Sequence, residues 1–126
     1  MTNRRFTVLI LGATGVFGSR LAERLAGEPG IALILAARTA SKLEQLRDRT
    51  CPAAAIRLVD RERIGAADLV GADVVVDAAG PFQGSRSAVI DAALAAGVDY
   101  VDLADGREFV AAIGRFGDRA RQAGIA

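Results

Sequence analysis

Residues 6–18 read FTVLILGATGVFG. An apolar run rich in Val, Leu and Ile stops at Gly12 and restarts as an amphipathic stretch, with further glycines at Gly15 and Gly18. A buried strand, a glycine-rich turn and a helix start, in that order, form a place for a phosphate group. Gly12 can take a tight turn that a side chain would forbid. Gly15 lets the backbone come close to a pyrophosphate, and Gly18 lets the helix pack tightly on the strand. The helix start adds N–H groups with no intrahelical partner and the positive end of its dipole. The spacing is G-x-x-G-x-x-G rather than G-x-G-x-x-G, so a glycine-rich turn that binds nothing is the plain alternative. Arg4 and Arg5 ahead of an apolar run also raise a secretory leader. The glycines that break the run, the lack of a small-residue cleavage site and the return of charge at Arg20 argue against it.

The 126 residues suit one domain, 1–126, and a composition 52% apolar is enough to fill a core. A net charge of +1 gives no field to draw in nucleic acid or an anionic membrane, and neither is expected as a partner. Fifteen of the 16 basic residues are Arg, Lys42 being the exception, a bias that a GC-rich coding genome explains. No apolar stretch reaches the roughly 18 residues that span a bilayer. Cys51 is the single cysteine and forms no internal disulfide. It precedes Pro52 and reads as an incidental loop residue. A soluble cytoplasmic protein is expected. There is no His, which excludes Ser-His-Asp and Cys-His chemistry and any His-liganded metal; no metal site is expected. Tyr100 and Lys42 lie far apart, so the Tyr-x-x-x-Lys pair of short-chain dehydrogenases is missing.

Strand and helix signals alternate along the chain, which predicts an α/β fold: a three-layer, doubly wound parallel sheet of about five strands. Strands are expected at 6–11, 31–36, 54–59, 73–78 and 98–103. The last of these, VDYVDL, alternates as a more exposed strand does. The first helix carries Phe17, Leu21 and Leu25 on one face, and 27–30 ends it. A polar helix starts at Ser41 with Leu43 and Leu46. A short helix or turn spans 61–70, and an Ala-rich helix spans 85–96. A last helix at 107–122 places Phe109, Ile113, Phe116 and Ala120 on one stripe. Residues 123–126 then look like the start of a sixth strand. The expectation is an N-terminal piece of a longer protein, with a sheet edge left open to homodimerisation.

In an open parallel sheet ligands bind beyond the carboxyl ends of the strands, near the switch point. That rule selects five places. The first is the loop of Gly12, Ala13, Thr14, Gly15, Val16, Phe17 and Gly18. The second follows strand two. A site for NAD usually offers Asp or Glu there to hold the ribose 2′-hydroxyl, whereas this chain offers Arg38, with Thr39, Ser41 and Lys42 close by. A cation with hydroxyls matches a 2′-phosphate, so NADP(H) is preferred over NAD(H). A charge-assisted bond contributes about 1.5–3 kcal/mol, or about ten- to a hundredfold in affinity. The third is Asp60, either an acceptor for an adenine amino group or a helix N-cap. The fourth is Ala78, Ala79, Gly80, Pro81 and Phe82, where small residues let backbone approach a ribose and nicotinamide and Pro81 fixes the turn. The fifth holds Asp102, Asp105 and Glu108. Paired carboxylates can do acid-base work, but Asp105 is more simply the N-cap of the last helix. No residue stands out as catalytic.

The chain resembles the N-terminal NADP-binding domain of the saccharopine dehydrogenase-like proteins. The likeness rests on GATGVFG at 12–18, AAR at 36–38 and, most specifically, DVVVDAAGPFQGSRSAVIDAALAAGVDYVDLADGREF at 73–109. In that family an AGPF turn, here Ala79 to Phe82, precedes a helix and a G-x-x-Y-V-D strand, here Gly97 to Asp102. The resemblance implies a Rossmann fold, a bound NADP(H), and a second domain that holds a small-molecule substrate. It also implies an NADP-dependent oxidoreductase, of which this piece alone is inactive. After Val101-Asp102 the family often continues into Gly-Glu, whereas this chain has Leu-Ala-Asp-Gly-Arg-Glu, which puts a substrate role for Glu108 in doubt. Two other readings remain open. One is a scaffold that keeps the fold and binds NADP(H) without redox chemistry. The other is a relative of nucleoside-diphosphate-sugar epimerases, against which the missing Tyr-x-x-x-Lys pair counts.

Overall fold

The first strand, β1 (Phe6–Leu11), sits at the centre of a five-stranded, all-parallel sheet. The computed structural model describes residues 5–78 and 86–102. After β1 come α1 (Val16–Ala26), β2 (Ile31–Ala37), α2 (Ala40–Thr50) and β3 (Ala55–Leu58). Two 3₁₀ turns, Arg61–Arg63 and Ala66–Leu69, lead to β4 (Val74–Asp77), α3 (Arg86–Ala96) and β5 (Asp99–Asp102). The strand order is β3-β2-β1-β4-β5. The chain therefore winds outward from β1 through β2 and β3, then returns to the other side of β1 for β4 and β5. The switch point lies between β1 and β4.

Burial explains the order. β1, β2 and β4 are apolar nearly throughout because both their faces are covered, as central parallel strands require. Val8 and Ile10 of β1, Leu33 and Leu35 of β2, and Val74 and Val76 of β4 point to one face, where Leu21, Ala22 and Leu25 of α1 and Leu43 and Leu46 of α2 cover them. Leu9, Leu11, Ile34, Ala36 and Val75 point to the other face, under Ile64, Leu69 and the α3 residues Val89, Ala92 and Ala93. β3 and β5 are the edges among the described strands, and both are more exposed; the alternating pattern of β5 already suggests this. Each fully buried Leu contributes about 1.5–3 kcal/mol relative to leaving it exposed.

Two sequence expectations change. Phe17 is not on the buried stripe of α1: it is 46% exposed, and the stripe is Gly18, Leu21, Ala22 and Leu25. The first turn of α1 stands at the carboxyl end of the sheet, where no described strand covers it. Cys51 is no incidental loop residue. It is buried, its N–H closes α2 on Arg47 O, and its Sγ lies 3.8 Å from Ala22 O, tying α2 to α1. The segment 61–70, expected as a short helix or turn, is two short 3₁₀ turns. Asp60 Oδ1 accepts from Glu62 N at 3.0 Å and Asp68 Oδ2 from Gly65 N at 2.9 Å, so each turn carries its own cap. The expected helix at 107–122 and the stretch beyond it lie outside the described residues.

Candidate cofactor site

The glycine loop is held from below. Gly12 N and Ala13 N both donate to Ala36 O of β2, at 2.9 and 3.2 Å, and Gly15 N turns back to Gly12 O at 3.0 Å. Gly12 has φ +77°, the left-handed region that favours glycine. Gly18 is the closest approach. A Cβ there would overlap Gly12 O and come within 2.9 Å of Ala13 Cα, so the helix can pack against the strand only without one. Gly15 differs: a Cβ would meet only Gly12 O, at 3.4 Å, an ordinary contact. The loop itself would accept a side chain there, and what glycine leaves is open room above the backbone.

Gly15 is the N-cap of α1, and the first helical hydrogen bond is Ser19 N to Gly15 O. The N–H groups of Thr14, Val16, Phe17 and Gly18 have no acceptor among the described residues. No acidic side chain stands in the first turn of α1 to offset the positive end of its dipole. Val16 and Phe17 are exposed around the loop.

One strand over, Arg38 follows β2 directly and is exposed, with no hydrogen bond or ion pair among the described residues. Thr39 is the N-cap of α2 but its side chain makes no cap hydrogen bond. Ser41 and Lys42 lie exposed on the first turn of α2, which also carries no acidic residue. A guanidinium, two uncommitted hydroxyls, an ammonium and a second helix N-terminus thus share the end of β2, beside the glycine loop. Asp60, at the end of β3, has the capping role; one oxygen binds Glu62 N and the other lies 3.9 Å from Arg63. Ala78 closes β4 at the switch point, buried, its N–H on Leu11 O at 2.9 Å. Ala79, Gly80, Pro81 and Phe82 lie outside the described residues, as do Asp105 and Glu108. Among the described residues no group of three or more His, Cys, Asp or Glu is placed to hold a metal ion, and no helix is long and apolar enough to cross a membrane.

Sequence reasoning missed the charged cluster behind this crevice. Asp77, the last residue of β4, is wholly buried. Arg61, the first residue of the turn after β3, grips it with a fork: Nε to Oδ1 at 3.1 Å and Nη2 to Oδ2 at 2.6 Å. The Tyr100 hydroxyl stands 3.4 Å from Asp77 Oδ2 and 3.2 Å from Asp102 Oδ2. Asp77 and Asp102 are register partners on β4 and β5. Removing one partner of such a buried pair costs about 3–5 kcal/mol, because the other charge stays buried without its mate. The signal was present in VVVD: a carboxylate at the end of a strand covered on both faces needs a partner.

A parallel sheet ordered β3-β2-β1-β4-β5, with a glycine loop and a helix N-terminus at its switch point, defines a Rossmann-type α/β domain. Solved structures agree on the fold. Saccharopine dehydrogenase (L-Glu forming) from Saccharomyces cerevisiae matches with a TM-score of 0.65 at 22% identity, over 77% of this chain and 21% of that one. A Rossmann-fold NAD(P)-binding family protein from Shigella flexneri matches with a TM-score of 0.63 at 24% identity, over 90% of this chain and 64% of that one. Pen from Bacillus thuringiensis matches with a TM-score of 0.69 at 18% identity, over 81% of this chain and 39% of that one. The chain thus spans 21–64% of the length of these proteins. No curated protein matches it. The chain belongs to the saccharopine dehydrogenase NADP binding domain family, whose model matches residues 8–125.

Proposed function

We propose that this domain binds NADP(H), in preference to NAD(H), for an oxidoreductase whose small-molecule substrate is held by a further domain. The observation that carries the reading is the pairing of two anion sites on neighbouring strand ends. The glycine loop offers a pyrophosphate N–H groups that have no acceptor among the described residues, with room above Gly15 for it. Arg38, Thr39, Ser41 and Lys42 offer a cation and hydroxyls to a ribose 2′-phosphate, where a carboxylate would suit the 2′-hydroxyl of NAD. The residues present therefore fit the group.

When bound, the nicotinamide supplies a centre that gives or takes hydride. The residues of this chain bind and orient it. The loop at 12–18 and the start of α1 hold the pyrophosphate, and Arg38 with its neighbours fixes the phosphorylated ribose. In this reading Asp60, after β3, is assigned to the adenine side, and Ala78, at the end of β4, to the nicotinamide side. The test is Arg38→Ala, titrated calorimetrically with NADPH and with NADH. A loss of about ten- to a hundredfold for NADPH, with NADH little changed, supports the assignment. Equal loss for both removes it.

A further inference from the structure

We infer that the Arg61–Asp77 pair is a positioning device that sets the two halves of the cofactor crevice against one another. The inference rests on the NADP(H) reading above and adds to it two residues to which that reading gives no ligand contact. The segment after β3 starts at the carboxyl end of the sheet and crosses its second face towards β4, with Ile64 and Leu69 packed on that face. Val59 N holds to Ala37 O at 3.0 Å as it leaves, so this crossover starts beside Arg38. Asp60 and Arg61 are consecutive. The first lies at the crevice on the adenosine side, and the second reaches Asp77 on β4. Asp77 is the register partner of Leu11, the residue before Gly12, and it directly precedes Ala78 on the nicotinamide side. One two-pronged contact thus links the adenosine side, the start of the glycine loop and the nicotinamide side.

The contact has the form that fixes geometry. A guanidinium on a carboxylate makes two parallel hydrogen bonds and so restrains orientation as well as distance. A buried ion pair is a poor source of net stability compared with apolar residues of similar volume, so specificity of arrangement is its better-attested use. Arg57 supports the same crossover further on, its Nη1 donating to Asp68 O at 2.8 Å and Val70 O at 2.9 Å. Tyr100 extends the link to β5 through its hydroxyl.

A ligand that spans both halves feels their relative placement, and a ligand that occupies one half does not. The experiment compares NADPH with 2′,5′-ADP, the adenosine half alone, by calorimetric titration of the full chain. The variants are Arg61→Lys and the double variant Arg61→Met with Asp77→Leu, which removes both charges and leaves neither buried alone. Circular dichroism checks that each is folded, and Arg61→Lys, which keeps a cation against Asp77, provides the readout if the double variant does not fold. The expected result is a loss of about tenfold in NADPH affinity for the double variant, with 2′,5′-ADP binding unchanged within about twofold. Arg61→Lys, with a point charge in place of the fork, falls between parent and double variant for NADPH. A merely structural pair would change both ligands by the same factor, or neither, and that outcome overturns the inference. If the parent chain binds neither ligand, the NADP(H) reading itself fails and takes this inference with it.

Discussion

The backbone of Gly18 rests on the carbonyl of Gly12 so closely that a single Cβ would overlap the oxygen and reach within 2.9 Å of Ala13 Cα. The contact ties the first turn of α1 to the end of β1. Neither atom it would strike is a flexible side chain, so the backbone itself must yield. Gly15, three residues earlier, has no comparable neighbour.

The two glycines therefore separate folding from binding. Gly18→Ala is expected to destabilise the domain by about 1–3 kcal/mol, read as a lower midpoint in urea, and to lose NADPH binding. Gly15→Ala is expected to leave the unfolding free energy within about 1 kcal/mol of the parent, since φ there is an ordinary −78°. It still weakens NADPH, because the methyl group occupies the room above the loop. Equal destabilisation by both substitutions would contradict this division.

Leu21 anchors α1 on the sheet and is fully buried among β1, β2 and β4 residues. Leu21→Ala is expected to cost about 2–5 kcal/mol, the transfer term plus the cavity left behind. Phe17→Ala, at a half-exposed position, is expected to cost far less. Denaturant unfolding of the two variants measures the difference.

Burial pushes the Cys51 thiol above its ordinary value, with Glu23 adding to the effect. The folded state holds this proton more tightly than the unfolded chain does. The stability gained is complete below the ordinary thiol value and is lost as pH rises from there through the raised value of the folded state. Native protein is expected to react with iodoacetamide at pH 8 far more slowly than urea-unfolded protein, and Cys51→Ala to flatten the alkaline fall in stability. Rapid labelling of the native thiol would contradict its placement against Ala22.

Much of the fold is legible in the sequence because β1, β2 and β4 are covered on both faces and read as unbroken apolar runs. The glycine loop is legible for a different reason: its spacing matches a backbone need that the structure displays at Gly12 and Gly18. Phe17 was misplaced because helical periodicity carries no record of where the sheet beside the helix ends. Cys51 was undervalued because its contact lies 29 residues away, on α1. The segment 61–70 follows short-range caps at Asp60 and Asp68, which leave no periodic signature. Asp77 and Arg61 pair across 16 residues, and nothing local in RERIG announces that partner. Arg38 stands where its position after β2 suggests, exposed at that strand end and with no hydrogen bond or ion pair among the described residues.

The most direct measurement is calorimetric titration of the chain with NADPH and then with NADH. The account predicts saturable binding of both, with NADPH tighter by about tenfold or more. Tighter binding of NADH would contradict the role given to Arg38, and no binding of either would contradict the cofactor site itself.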